Sequence, residues 1–145
     1  MREKLDVSLI VVNYNKMPYT RLCLESVLAA DPVPAQIIAI DNGSSDGTHE
    51  YLRHDFSALA YQAGVKYVFI RNRENLGACT ARNQGLEAAT GRYIAFMDND
   101  VVVRRRSWLR KLVDFLKANP FYGAVGPKLI YPTKPYIIQL SLIHI

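Results

Sequence analysis

At 145 residues, 50% hydrophobic and 21% charged, the chain has the size and composition of one ordinary globular domain with a real core. Its formal charge of +5 fits acidic or phosphorylated partners. The basic residues are mostly scattered, however, and no aromatic-interleaved basic patch exists, so nucleic acid is not an expected partner.

Cys23 and Cys79 lie far apart, each in a predicted helix. That excludes a disulfide framework and zinc-ligand spacing, and both read as small buried residues in a reducing compartment. The charged N-terminus runs into a strand, which predicts no signal peptide. No apolar stretch approaches transmembrane length. The expected location is cytoplasmic.

Val7-Ser8-Leu9-Ile10-Val11-Val12 is a continuous, largely β-branched run, the pattern of a central parallel strand. It ends in Asn13-Tyr14-Asn15. Pro18 suits the first turn of a helix from about Met17 to Ala30. Its predicted apolar stripe is Leu22, Cys23, Ser26, Val27 and Ala30. Asp31-Pro32 and Pro34 stop it.

Ile37-Ile38-Ala39-Ile40 is the second predicted strand. It runs into Asp41-Asn42-Gly43-Ser44-Ser45-Asp46-Gly47-Thr48, a loop whose glycines and short polar side chains suit close approach to a ligand. Ser45 or Asp46 can cap a helix over Thr48–His54. Residues 56–64 read as a connection or a helical extension. Val65–Ile70 is the third strand, followed by Asn75-Leu76-Gly77. The next helix is rich in small residues, with Arg82 and Asn83 near its start, where backbone amides favour anions. Gly91 is the expected stop.

Tyr93-Ile94-Ala95-Phe96-Met97 reads as a fourth, buried strand. It ends in Asp98-Asn99-Asp100. Two carboxylates at a strand's carboxyl edge are hard-oxygen ligands for Mg²⁺ or Mn²⁺, which share their shells with substrate phosphates. An Asx-rich turn with a solvated acidic tip is the other reading of this tripeptide. Arg104-Arg105-Arg106 is either a solvated helix start or a phosphate- or membrane-surface contact. Trp108, Leu109, Leu112, Val113 and Leu116 mark an amphipathic helix closed by Asn119-Pro120. A strand-like segment follows from Gly123 to Tyr131.

The last six residues, Leu140 to Ile145, match the translation of CTG TCT CTT ATA CAC ATC, a transposon-derived sequencing adapter. They read as a foreign tail, to be left out of functional reasoning. A genuine short apolar strand is the alternative.

The βαβαβαβ order predicts an α/β layer with a mostly parallel sheet and helices on both faces. Four polar strand ends then converge on one edge, where open α/β sheets bind ligands. Together VSLIVVNYN, IIAIDNGSSDGT, ENLGACTARNQG and GRYIAFMDNDVVV resemble the nucleotide-sugar-binding half of the family 2 glycosyltransferases, which have the Rossmann-like GT-A fold. The resemblance covers residues 5–132, and the domain is expected over residues 1–139, incomplete at its C-terminal end.

The resemblance implies roles for individual positions. Asn13, Tyr14 and Asn15 would contact base and ribose. Asp41 would accept from the imide N–H of uracil or thymine, which a carboxylate can do because it only accepts. Asn42, Asn75, Gly77 and Arg82 would line the donor pocket. Asp98 and Asp100 match the outer positions of the family's D-x-D, with Asn99 between them. Asp100 would hold Mn²⁺ or Mg²⁺, and Asp98 would reach the ribose or a metal-bound water.

The implied reaction is inverting transfer of a sugar from a UDP or dTDP donor to a saccharide or lipid-linked acceptor. It belongs to cell-wall or polysaccharide biosynthesis, with peripheral association of the full-length protein at the inner face of the plasma membrane. No general-base motif is found, and Asp114 reads as a surface residue. A non-catalytic nucleotide-sugar-binding fragment therefore stays open. A sugar nucleotidyltransferase would need a glycine-rich loop where this chain has Asn13-Tyr14-Asn15-Lys16-Met17. A Rossmann dinucleotide-binding protein would need G-x-G-x-x-G at that place.

Overall fold

The computed structural model describes residues 3–140. Four strands, β1 (Lys4–Asn13), β2 (Val33–Asn42), β3 (Lys66–Asn72) and β4 (Tyr93–Asp98), form one sheet in the order β3-β2-β1-β4. Every pairing in it is parallel. This is the α/β arrangement predicted from the chain order.

Alternation along β1 and β2 explains the layers, because successive side chains leave a strand on opposite faces. Leu9, Val11, Ile37 and Ala39 pack with Cys23, Leu24 and Val27 of α1 (Met17–Leu28), and with Leu52, Phe56 and Ala60. The last three come from a continuous helical run: α2 (Thr48–Glu50), a π-helical turn (Tyr51–Phe56) and α3 (Ser57–Gln62). Ile10, Ile38 and Ile40 face the other way and pack with Ala81 of α4 (Ala78–Ala88). Gly85 makes that approach possible. A Cβ there would sit 2.5 Å from Cγ2 of Ile10.

Several expectations are corrected. Leu22 is 55% exposed on α1, and Leu24 takes its place in the core. Gly91 is not the stop of α4, which ends at Ala88. A Cβ on Gly91 would meet the backbone of Val7 and Ser8, so glycine is needed there for close approach. The fourth strand is not buried throughout. It is an edge strand of the sheet, and Ile94 and Phe96 are exposed on alternate positions. Ala95 and Met97 pack against the core on the α1 face, whereas Ile94 and Phe96 point to the opposite face and join neither core cluster.

The chain forms two compact units, one up to Leu109 and one from Arg110 onward. Every candidate site residue lies in the first. In helix α5 (Trp108–Ala118), Leu109 and Val113 are buried and Asp114 is exposed. The strand expected over 123–131 is only Leu129–Ile130 (β5), paired antiparallel with Ile138–Leu140 (β6). Residues 141–145 of the suspected tail lie outside the described residues. Among the described residues no helix is long and apolar enough to cross a membrane.

Candidate functional site

Strand register decides which residues meet at the carboxyl edge. Asn13 lies opposite Asp41, Val12 opposite Asp98, and Asp41 opposite Arg71. Asp41 and Asp98 therefore stand at the same edge, one on each side of the end of β1.

The loops at this edge are stitched together by hydrogen bonds. Asn15 and Lys16 take left-handed backbone angles, φ 54° and 60°, which turn the chain sharply out of β1. The Asn15 N–H donates to Ser44 Oγ at 2.8 Å, and the Ser45 N–H donates to Asn15 Oδ1 at 2.9 Å. Asp46 ties two helix starts together. It accepts from the Met17 N–H at 2.9 Å and from the Thr48 N–H and Oγ1 at 3.2 and 2.6 Å. Partial desolvation acts to raise its pKa. The donors from Thr48 and Met17 outweigh it and hold the carboxyl below its ordinary value.

Asp41 is fully buried. Its Oδ1 accepts from the Ser44 N–H at 3.0 Å. Among the described residues its Oδ2 has no hydrogen-bond partner, although His49 Nδ1 and Arg71 Nε each lie 3.9 Å away. Oδ1 of the buried Asn13 also lacks a partner among them, while its Nδ2 donates to the carbonyls of Val11 and Ile40. Buried polar atoms are nearly always satisfied, so two such acceptors on neighbouring strand ends are unusual. Tyr14, next along, is half exposed.

Asn42, Asn75 and Gly77 are brought together, but largely to one another. Asn42 Nδ2 donates to Asn75 Oδ1 at 2.8 Å, and the Gly77 N–H donates to the same oxygen at 2.9 Å. Asn42 Oδ1 accepts from Asn72 Nδ2 and from the Leu76 N–H. This network pins the loop before α4 to the end of β2. Gly77 has φ 81° and ψ 160°, a conformation open essentially to glycine alone.

Within Asp98-Asn99-Asp100 the middle side chain turns inward. Asn99 Nδ2 donates to Thr20 Oγ1 at 2.9 Å and to the Asn15 carbonyl at 3.4 Å. The two acids stay exposed, with side chains 67% and 49% accessible. Arg82 Nη2 donates to Asp98 Oδ1 at 3.0 Å, and Lys16 Nζ lies 3.7 Å from Asp100 Oδ2. Cys23 lies beneath and donates to the Asp98 carbonyl. Burial, and then the charge of Asp100, push its thiol up to about 12.

Among the described residues no three His, Cys, Asp or Glu gather to cage a metal ion. Two exposed carboxylates nevertheless fit an ion that completes its shell with ligand oxygens and water, as Mg²⁺ commonly does.

Motif reading did not single out Lys16, Thr20, His49 or Arg71. Each acts across the fold on a residue that was singled out. Arg106 of the basic run is partly accounted for, since its Nε donates to the Ala29 carbonyl at the end of α1.

The model of the family "Glycosyl transferase family 2" matches residues 8–143. The putative teichuronic acid biosynthesis glycosyltransferase TuaG of Bacillus subtilis is 37% identical over 94 residues, covering 65% of this chain and 35% of TuaG. A mannosyltransferase from Pyrobaculum calidifontis, solved in complex with GDP-Man and Mn²⁺, superposes with a TM-score of 0.71 at 25% identity. That match covers 79% of this chain and 33% of the other. S. aureus TarS, solved with UDP-GlcNAc, shares the fold with a TM-score of 0.65 at 20% identity, over 92% of this chain and 39% of its own. The fold is that of the GT-A glycosyltransferases. The chain spans 27% to 36% of the length of the first curated relatives it matches.

Proposed function

The chain belongs to glycosyl transferase family 2, and we propose that its strand-end edge binds the nucleoside diphosphate of a UDP- or dTDP-sugar donor. The observation that carries this reading is the fully buried Asp41, whose Oδ2 has no hydrogen-bond partner among the described residues, across β1 from two exposed carboxylates. A buried acceptor suits a base N–H, and the exposed acids suit the diphosphate end.

Asp41 selects the base because a carboxylate accepts from the ring N–H. Asn13, Tyr14 and Asn15 flank the base and ribose. The network of Asn42, Asn75 and Gly77 fixes the pocket's other wall. Arg82 supplies positive charge for an anion near the start of α4. Asp100 would hold Mn²⁺ or Mg²⁺ directly, and Asp98 would reach the ribose or a metal-bound water. When bound, the ion supplies charge neutralisation for the leaving diphosphate. The P. calidifontis enzyme with GDP-Man and Mn²⁺ supports a divalent ion here.

In the complete enzyme an acceptor hydroxyl attacks the anomeric carbon with inversion, and nucleoside diphosphate leaves. A saccharide or lipid-linked acceptor at the inner face of the plasma membrane fits this reading. The likeness to a teichuronic acid biosynthesis glycosyltransferase supports polysaccharide synthesis. No residue of this chain is assigned as the general base.

Calorimetric titration of UDP and dTDP against the parent and Asp41→Asn tests the proposal. The variant should bind about 1–3 kcal/mol more weakly, the scale of a lost charge-assisted hydrogen bond. Equal binding would make Asp41 a loop-shaping residue only.

A further inference from the structure

We propose that His49 is a specificity residue that reads the nucleobase together with Asp41: Asp41 Oδ2 takes a ring N–H, and His49 Nδ1 donates to the carbonyl beside it. This rests on the reading that the strand-end edge holds a nucleoside diphosphate.

Both atoms are buried, and among the described residues neither has a hydrogen-bond partner. They lie 3.9 Å apart, too far to bond each other. Each is held in place. The Ser44 N–H fixes the other oxygen of Asp41 at 3.0 Å. The imidazole lies against Phe69, with ring centroids 5.5 Å apart. His49 follows Thr48, whose N–H and hydroxyl are bound by Asp46.

The result is a fixed acceptor beside a fixed potential donor, with no hydrogen-bond partner for either among the described residues. Arg71 also lies beside Asp41, with its Nε 3.9 Å from Oδ2. Its side chain is half exposed, whereas that of His49 is 11% exposed. Arg71 is thus the side chain that an arriving base can displace, and His49 is the one that stays.

An acceptor and a donor side by side complement an N–H next to a C=O. Uracil and thymine present that edge, and so does guanine. Cytosine and adenine present a bare ring nitrogen beside an amino group, which would set a lone pair against the carboxylate. The pair therefore reads the imide pattern, and ring size is left to other walls of the pocket.

The test is titration calorimetry with UDP, GDP, CDP, 2-thio-UDP and 4-thio-UDP on the parent, His49→Ala, His49→Gln and Asp41→Asn. Sulfur replaces a good acceptor with a poor one while keeping the ring N–H. The parent should bind UDP or GDP at least about tenfold tighter than CDP, and should discriminate against one thio analogue. His49→Ala should lose about tenfold for the favoured nucleotide, and its thio discrimination should vanish. His49→Gln, which keeps a donor, should recover most of both. Should His49→Ala fail to fold, the thio analogues on the parent and His49→Gln decide the matter.

If His49→Ala binds like the parent and Asp41→Asn does not, His49 only packs beside Asp41. The proposal then fails, and the donor-site reading stands. A parent indifferent among UDP, GDP and CDP overturns both.

Discussion

Arg82 Nη2 meets Asp98 Oδ1 at 3.0 Å and joins the first turns of α4 to the tip of β4. The other acid of the tripeptide has its own cation, Lys16, at 3.7 Å. Both pairs are exposed, where an ion pair contributes about 0–1 kcal/mol. They are therefore easily exchanged, and in the proposed donor site the diphosphate and metal ion would take over each partner. Arg82→Ala should tighten Mn²⁺ binding to the nucleotide-free protein slightly, by about fivefold or less. It should weaken UDP binding without metal, because the phosphate loses a guanidinium. Mn²⁺ and UDP titrations on the variant check the two signs. Movement of both affinities in the same direction would count against an exchange of partners.

Asp46 provides the pH dependence. Its folded pKa lies below the ordinary carboxylate value, which is about 3.9. Its contribution is therefore fully present above that value and lost as pH falls through the lower folded pKa. Asp46→Ala removes the acceptor for Met17, Thr48 N–H and Thr48 Oγ1. It should cost about 1 kcal/mol near neutral pH, the scale of a helix cap. Denaturant midpoints of parent and variant should converge as the pH is taken well below 3.9. A gap that stays constant across that range would mean that the carboxylate's charge is not involved.

The two cysteines should react very differently. Cys23 is buried with its thiol pushed up to about 12, while Cys79 is exposed near the start of α4. The thiolate is the reactive form. At pH 8 one equivalent of a maleimide should label Cys79 quickly, and Cys23 should react only on unfolding. Peptide mass mapping after timed labelling reads this directly. Early labelling of Cys23 would show that the turn carrying Asp98 opens readily.

The sequence was most legible where local periodicity and topology agree. The β-branched runs of β1 and β2 announced central strands, and their polar ends announced the edge. Legibility failed where a neighbour decides the outcome. Tyr93–Met97 has the composition of a buried strand, but only the face carrying Ala95 and Met97 packs on the core, and Ile94 and Phe96 on the other face are exposed. On α1 the core takes Leu24 and leaves Leu22 to solvent, because the helix is rotated slightly from the stripe that spacing suggested.

In the site, the acids could be named from their positions after strands. Their partners could not. Arg71 meets Asp41 only through the register of β2 with β3, and Asn99 meets Thr20 only because α1 folds back over the edge. No spacing along the chain encodes such contacts.

As a metal-dependent diphosphate site, Asp98-Asn99-Asp100 should make UDP or dTDP binding depend on Mn²⁺, which titration with and without the ion measures. Two exposed carboxylates should hold the ion weakly alone and need the donor's phosphates to complete its shell. Metal and nucleotide should each tighten the other by the same factor, as linkage requires. Asp100→Ala should abolish that mutual tightening and leave metal-free nucleotide binding near the parent's, since Asp41 is untouched. Equal nucleotide affinity with and without Mn²⁺ in the parent would contradict the account and leave the tripeptide an acidic turn.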